Sequence, residues 1–313
     1  MGFATVSLIL FFLVWFFLQL KTSRPDGILI KKLHPYRRLL SYIQPEASSS
    51  VVYFDEYIKA DNLLKFLDEI KKTRDLDMTH CLVFAGGISL VKNPQMNRFV
   101  KGYRLYQRKG QSITFTMKRK KLNKQAKVAA VKMSIHENTT LHEMSEKIHG
   151  KINVERSDKK TSFDVEANLF FKLPRPLMVL ALKTAKTLDY YNLLPSFLIR
   201  SDAMYTSAFI ANLGSLGMQS SYHHLYDWGT CPHFITVGKV FDRPVVKDGQ
   251  VTFEKSMNIR FSYDERIEDG LSAYDGIKSI LKVLEEPEKY LGSLKEDASQ
   301  SKTFGELARS LTL

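Results

Sequence analysis

An α/β domain behind an N-terminal transmembrane helix is what this sequence predicts, on three observations. Residues 1–20, MGFATVSLILFFLVWFFLQL, carry no charge, and about 20 helical residues suffice to cross a bilayer's hydrocarbon core. Beyond residue 50, runs rich in β-branched and aromatic residues are interleaved with runs whose apolar residues recur at helical spacing. The C-terminal third is built of strand-like runs, with a tight-turn signal at Asp248-Gly249.

The apolar run reads as a retained single-pass anchor, with a cleaved signal peptide as the alternative. No Lys or Arg precedes it, as a signal peptide's basic n-region would require. Lys21, Arg24, Lys31, Lys32, Arg37 and Arg38 follow it, which by the positive-inside rule puts the main domain on the cytoplasmic side. Residues 21–50 read as a basic, proline-punctuated linker, 51–292 as the folded domain and 293–313 as a polar tail. The 313 residues carry a formal net charge of +13, so anionic partners are expected: a phosphate-bearing cofactor or an anionic lipid surface. No stacking platform or nucleic-acid motif is present, and nucleic acid is not expected. Cys81 and Cys231 have no metal-ligand spacing and read as buried thiols in a reducing compartment. No metal site is expected.

The elements follow in order. Val51–Ile58 alternates as a strand. Asp61 can cap a helix carrying Leu63, Leu64, Leu67 and Ile70, and a second helix over 78–91 is broken by Asn93-Pro94. Strands are expected over 103–107, 112–117 and 128–134, with the basic run KRKKLNKQAK between the last two. Thr140-Leu-His-Glu143 is a capping-box signal for a helix to about Asn153. Residues 165–200 are apolar and basic, and Pro174, Pro176 and Pro195 divide them. They suit a membrane-surface element, a substrate-tunnel wall or helices packed on the core. Strands over 208–213, 233–240 and 251–262 and a helix over 273–284 complete the domain.

Three motifs then carry a resemblance. Asp264-Glu-Arg-Ile-Glu-Asp-Gly270 follows a strand as D-H-R-x-x-D-G does in the catalytic domain of 2-oxoacid dehydrogenase (dihydrolipoamide) acyltransferases, which share their fold with chloramphenicol acetyltransferase. Ile210-Ala-Asn-Leu-Gly-Ser-Leu-Gly217 is similar to that family's I-S-N-L-G-x-x-G, and Pro94-Gln-Met-Asn97 to its P-x-x-N. The order agrees over roughly residues 35–290. The resemblance implies a two-layer sandwich on a mixed sheet and a homotrimer with active sites at subunit interfaces. It implies a channel for an acyl-CoA co-substrate as thioester donor and no tightly bound cofactor. In the family the motif histidine is the general base, a hydroxyl serves the oxyanion, and the motif Asp is structural, often paired with arginine. The 21–50 linker is too short for a lipoyl or subunit-binding domain, so a working subunit of such a complex is not expected.

The pattern departs at its centre: Glu265 stands at the base position and Ala211 at the serine position, while Asp264, Arg266, Asp269, Gly270, Asn212 and Gly214 match. Three readings follow. Glu265 is itself the base, in a setting that raises its usual pKa of about 4.3. Alternatively the chemistry has moved, with His223 of the Tyr222-His-His-Leu-Tyr-Asp227 segment as the other candidate base. Or the chain is an inactive homologue that binds or scaffolds. Lys118, Arg119, Lys120 and Lys121 are either a solvated hairpin tip or a contact for phosphates of coenzyme A or an anionic lipid. The functional expectation is a membrane-bound acyltransferase acting on a membrane-associated acceptor, or its catalytically silent counterpart.

Overall fold

The computed structural model of the protein describes residues 2–119, 128–157 and 170–313. Its first helix, Phe3–Leu20 (α1), has no buried residue and a mean hydropathy of 2.3, and is long and apolar enough to cross a membrane.

Residues 21–50, expected as a linker, are folded into the domain. Gly27–Leu29 (β1) pairs with Arg104–Arg108 (β4), which also pairs with Arg98–Lys101 (β3), in a three-stranded antiparallel sheet. Pro35–Ile43 forms a helix (α2). A strand of three residues is too short for periodicity to reveal. Its tell is Gly27, where a Cβ would lie 2.8 Å from the Phe99 ring.

The main sheet has six strands: Val51–Lys59 (β2), Gln111–Lys118 (β5), Val128–Ile135 (β6), Ala208–Asn212 (β7), His233–Lys247 (β8) and Gln250–Asp264 (β9). Their order is β2-β9-β8-β7-β5-β6, parallel at β8–β7 and β7–β5 and antiparallel elsewhere. The sheet is therefore mixed. Asp248 and Gly249, with φ of 52° and 76°, form the two-residue turn whose twist suits the β8–β9 hairpin.

One face of the sheet is covered by helices Asp61–Ile70 (α3), Met78–Lys92 (α4) and Leu141–Arg156 (α5), and by others nearer the C-terminus. α4 is buried continuously from His80 to Leu90, and Asp77 and His80 close a capping box at its start. α3 begins at Asp61 itself, with Ala60 in the cap position. The described part of 165–200 holds Arg175–Tyr190 (α6) and Ser196–Ser201 (α7), with Pro174 and Pro195 as their N-caps and Pro176 inside the first turn of α6. These are the places where proline costs a helix nothing. Gly270–Glu285 (α8) starts three residues ahead of expectation because Asp269 caps it, and Pro287–Leu291 (α9) follows.

Residues 293–313, expected as a polar tail, also contribute to the core. Thr303 and Glu306 form a capping box for Phe304–Ser310 (α10), which buries Phe304, Leu307 and Ala308. A Cβ at Gly87 would lie 2.6 Å from the Phe304 ring, so α10 rests directly on α4. The opposite face of the sheet, presenting Phe209 and Phe234, is covered by the loop carrying Leu225 and Cys231. Sheet and helices together make a two-layer α/β sandwich, and both cysteines are buried and free.

Candidate functional site

β9 delivers Asp264 to the rim of the main sheet, and the loop 265–269 turns the chain into α8. Asp264 and Arg266 are each 3% exposed. The Asp264 carboxylate accepts from Arg266 Nε at 2.9 Å and Nη2 at 2.7 Å, from the Arg266 amide at 3.1 Å and from Ser50 Oγ at 3.0 Å. Arg266 Nη1 donates to the carbonyls of Gln44 and Pro45, at 2.9 and 2.7 Å. A buried ion pair satisfied on both sides in this way fixes geometry; here it binds the loop to the end of α2. Asp269 caps α8 by accepting from the Ser272 amide at 2.8 Å, and that bond holds its carboxyl below the usual carboxylate range. Gly270 is the first residue of α8.

Glu265 sits between these anchors. Its amide donates to the Ser50 carbonyl at 3.1 Å and its carbonyl accepts from Arg37 Nη1 at 3.2 Å. Arg37 also approaches Glu268, which is paired with Arg98. The Glu265 side chain is half-buried, and its carboxylate has no hydrogen bond or ion pair among the described residues. The backbone is thus held from both sides while the acid is left free.

Beside this loop lies a cleft of about 220 Å³. Its walls include Pro45 to Ala47, the β3–β4 turn with Lys101 and Tyr103, Lys186 and Tyr190 of α6, Tyr226, Asp227, and Gly229 to Pro232. Asp264 and Arg266 reach its wall, and Glu265 does not. Lys101 is held by Asp189 at 2.8 Å and Asp227 by Ser48 at 2.9 Å. Asp189 also takes Arg24 and the Tyr205 hydroxyl. Behind the cleft His233 is fully buried, its Nε2 donating to the Met96 carbonyl at 2.7 Å, and desolvation lowers its pKa to about 4.

The other residues singled out in the sequence lie apart from Glu265. Asn212 caps the short turn after β7, accepting from the Ser215 amide at 3.1 Å. Ala211 is opposite Thr236, and Thr236 is opposite Arg260, four residues before Asp264. That places Ala211 about 13 Å along the strands and about 10 Å across them from the loop. His223 lies on the same face of the sheet as the Asp264 side chain, stacked on Phe234 at 3.7 Å with rings 3° apart, its Nδ1 donating to the His224 carbonyl at 2.6 Å and its own carbonyl accepting from Ser262 Oγ, two residues before Asp264 on β9. Desolvation there lowers its pKa. Lys118 ends β5, and Arg119 pairs with Glu155 at 2.9 Å. Because β5 runs parallel to β7 and β8, both are at the end of the sheet away from the cleft. Lys120 and Lys121 lie outside the described residues.

Sequence reasoning missed the residues that hold the loop and cleft: Arg37, Ser50 and Asp189. Arg37 was visible only as flanking positive charge, and Ser50 and Asp189 carry no local signal, because Asp264 for the one and Arg24 for the other are more than 160 residues distant. Among the described residues no group of three or more His, Cys, Asp or Glu could hold a metal.

Residues 198–292 match the model of the 2-oxoacid dehydrogenases acyltransferase (catalytic domain) family. A stretch of 53 residues is 40% identical to the lipoamide acyltransferase component of the branched-chain alpha-keto acid dehydrogenase complex of Pseudomonas putida; it covers 17% of this chain and 12% of that protein. The match therefore spans only a small fraction of that relative's length. A probable dihydrolipoamide acetyltransferase from Listeria monocytogenes superposes with a TM-score of 0.53 at 15% identity, covering 82% of this chain and 95% of that one. A chloramphenicol acetyltransferase does so with a TM-score of 0.50 at 9% identity, covering 82% and 99%. The resemblance read from the motifs thus extends to the fold, which is that of chloramphenicol acetyltransferase-like acyltransferases.

Proposed function

We propose that this protein is a membrane-anchored acyltransferase that moves an acyl group from a CoA-type thioester to a membrane-associated acceptor, with Glu265 as general base. The observation that carries this reading is the Glu265 loop. Backbone bonds from Ser50 and Arg37 and the Asp264–Arg266 pair immobilise it, yet among the described residues its carboxylate has no partner at the position the family gives to its base. A free carboxylate on a rigid loop can take a proton from a hydroxyl or amine as that group attacks the thioester carbonyl, and return it to the departing thiolate. Because Ala211 lies far from Glu265 within one chain, the oxyanion partner would come from a neighbouring copy, as expected for a homotrimer with interfacial sites. α1 supplies the anchor, with the basic residues after it favouring a cytoplasmic domain.

A second reading, an inactive homologue acting as a trimeric scaffold or ligand-binding protein at the membrane, draws on Ala211. Its methyl group cannot donate to an oxyanion, and such a donor contributes roughly 3–4 kcal/mol. Binding and turnover of acyl-CoA by the full-length protein, with Glu265→Gln and His223→Ala beside it, separates the readings. Turnover lost only in Glu265→Gln supports the first. Acyl-CoA binding without turnover in the wild type, with turnover gained in Ala211→Ser/Glu265→His, supports the second. Turnover lost in His223→Ala alone overturns the assignment of the base.

A further inference from the structure

We propose that the Arg175–Tyr190 helix lies on an anionic bilayer surface as a second membrane contact beside α1, setting the mouth of the cleft at headgroup level. The inference rests on the reading of α1 as a retained anchor. Only Asp189 of α6 is buried. Leu177, Leu180 and Leu182 are 49%, 60% and 44% exposed, and Phe171 just ahead of the helix is 72% exposed. A helix that hides so little of its apolar surface, with Ala185 and Leu188 packed against Leu194, Ile199 and Tyr205, gains little stability from packing on its own domain.

Two observations identify what covers it. The first is charge: Lys172, Arg175, Lys183 and Lys186 accompany the apolar residues, and no acidic residue occurs from 170 to 188. Apolar side chains with interspersed lysine and arginine fit the boundary between acyl chains and anionic headgroups. The second is placement. Asn192 Nδ2 donates to the carbonyl of Lys21, the residue at which the chain leaves α1, at 2.9 Å. Arg24, three residues further, binds the buried Asp189 at 3.1 Å. The C-terminal end of α6 is therefore locked to the exit of the anchor.

Tyrosines gather at the same level. Tyr42 stacks on Tyr103 at 5.0 Å, Tyr103 meets Tyr190 edge-on at 5.8 Å, and Tyr190 meets Tyr191 at 4.8 Å. Such rings favour the headgroup layer. Tyr103, Lys186 and Tyr190 also line the cleft, so a molecule entering past them comes from the headgroup layer rather than from bulk water.

The test uses the full chain in phosphatidylcholine vesicles with and without phosphatidylserine. An environment-sensitive fluorophore is placed at Leu180→Cys, at Phe11→Cys to report the anchor, and at Lys72→Cys as a solvent control. Lipids brominated along the acyl chains serve as quenchers. The expected result is quenching at Phe11→Cys and at Leu180→Cys, with the latter about 5–10 Å below the headgroups, and none at Lys72→Cys. The Leu180→Cys signal in serine-containing vesicles should fall about fivefold for each of Arg175→Gln and Lys183→Gln. Quenching at Phe11→Cys alone overturns the inference while leaving the anchor intact. A blue-shifted Leu180→Cys emission without lipid quenching also overturns it, because a second copy then covers the helix. Absence of quenching at both positions removes the anchor and the inference together.

Discussion

Asp264 and Arg266 place one carboxylate and one guanidinium together in a site 3% exposed, where neither is tolerable alone. Replacing Arg266 by Ala leaves Asp264 buried without its counter-charge and frees the carbonyls of Gln44 and Pro45. The expected cost is about 3–5 kcal/mol, read as a lowered urea midpoint; an unchanged midpoint contradicts the role given to the pair. Glu265, between them, should behave in the opposite way. With no partner to lose among the described residues, Glu265→Gln is expected to change stability by less than about 0.5 kcal/mol. His233 adds a pH dependence. It is neutral in the folded protein down to a pKa of about 4, whereas in the unfolded chain it takes a proton near pH 6.5. The unfolded state then binds more protons between those values, so its contribution is complete above pH 6.5 and is lost as pH falls toward 4. The slope is at most about 1.4 kcal/mol per pH unit. Unfolding free energies measured across that window should fall on acidification, and His233→Asn should remove about one proton's worth of the slope. An identical slope in the variant contradicts the buried neutral state.

Elements with a strong local signal were legible in the sequence. β2 is rich in β-branched and aromatic residues, Thr140 and Glu143 announce α5, and Asp248-Gly249 closes the β8–β9 hairpin. The motif Asp264–Gly270 was legible as a unit because its residues are neighbours. What escaped was held together by distant partners or by very little apolar surface. β1 has three residues and depends on β4, and α10 shows only Phe304, Leu307 and Ala308 to the core. The separation of Glu265 from Ala211 was likewise hidden, because pairing register decides it, and no single-chain motif encodes that register. α10 gives the sharpest check at this scale. Phe304 is fully buried against Gly87, so Phe304→Ala is expected to cost about 3–5 kcal/mol in chemical unfolding. A cost under about 0.5 kcal/mol, the usual range for surface changes, would return residues 293–313 to the status of a tail.

At the scale of the molecule, one apolar helix emerges from a folded base in which Arg24, Asp26, Asp189 and Asn192 join the end of α1 to α6 and the three-stranded sheet. This joint ties the C-terminal end of α1 to the folded domain. Shortening 21–50 should therefore destabilise the folded domain. The proposed chemistry needs more than one copy, since a single chain brings Glu265 and the Ala211 region no closer than its sheet register allows. Detergent-solubilised protein is accordingly expected to have the mass of a trimer by light scattering; a monomer retaining full activity contradicts interfacial sites. The central claim concerns Glu265 and is tested most directly by thiol release from acyl-CoA in vesicles carrying the full-length protein. The account predicts turnover by the wild type and a loss of about 10²–10⁴-fold in Glu265→Gln, with the unfolding midpoint unchanged. Equal turnover in the two proteins, or a wild type that neither binds nor turns over acyl-CoA, would contradict it.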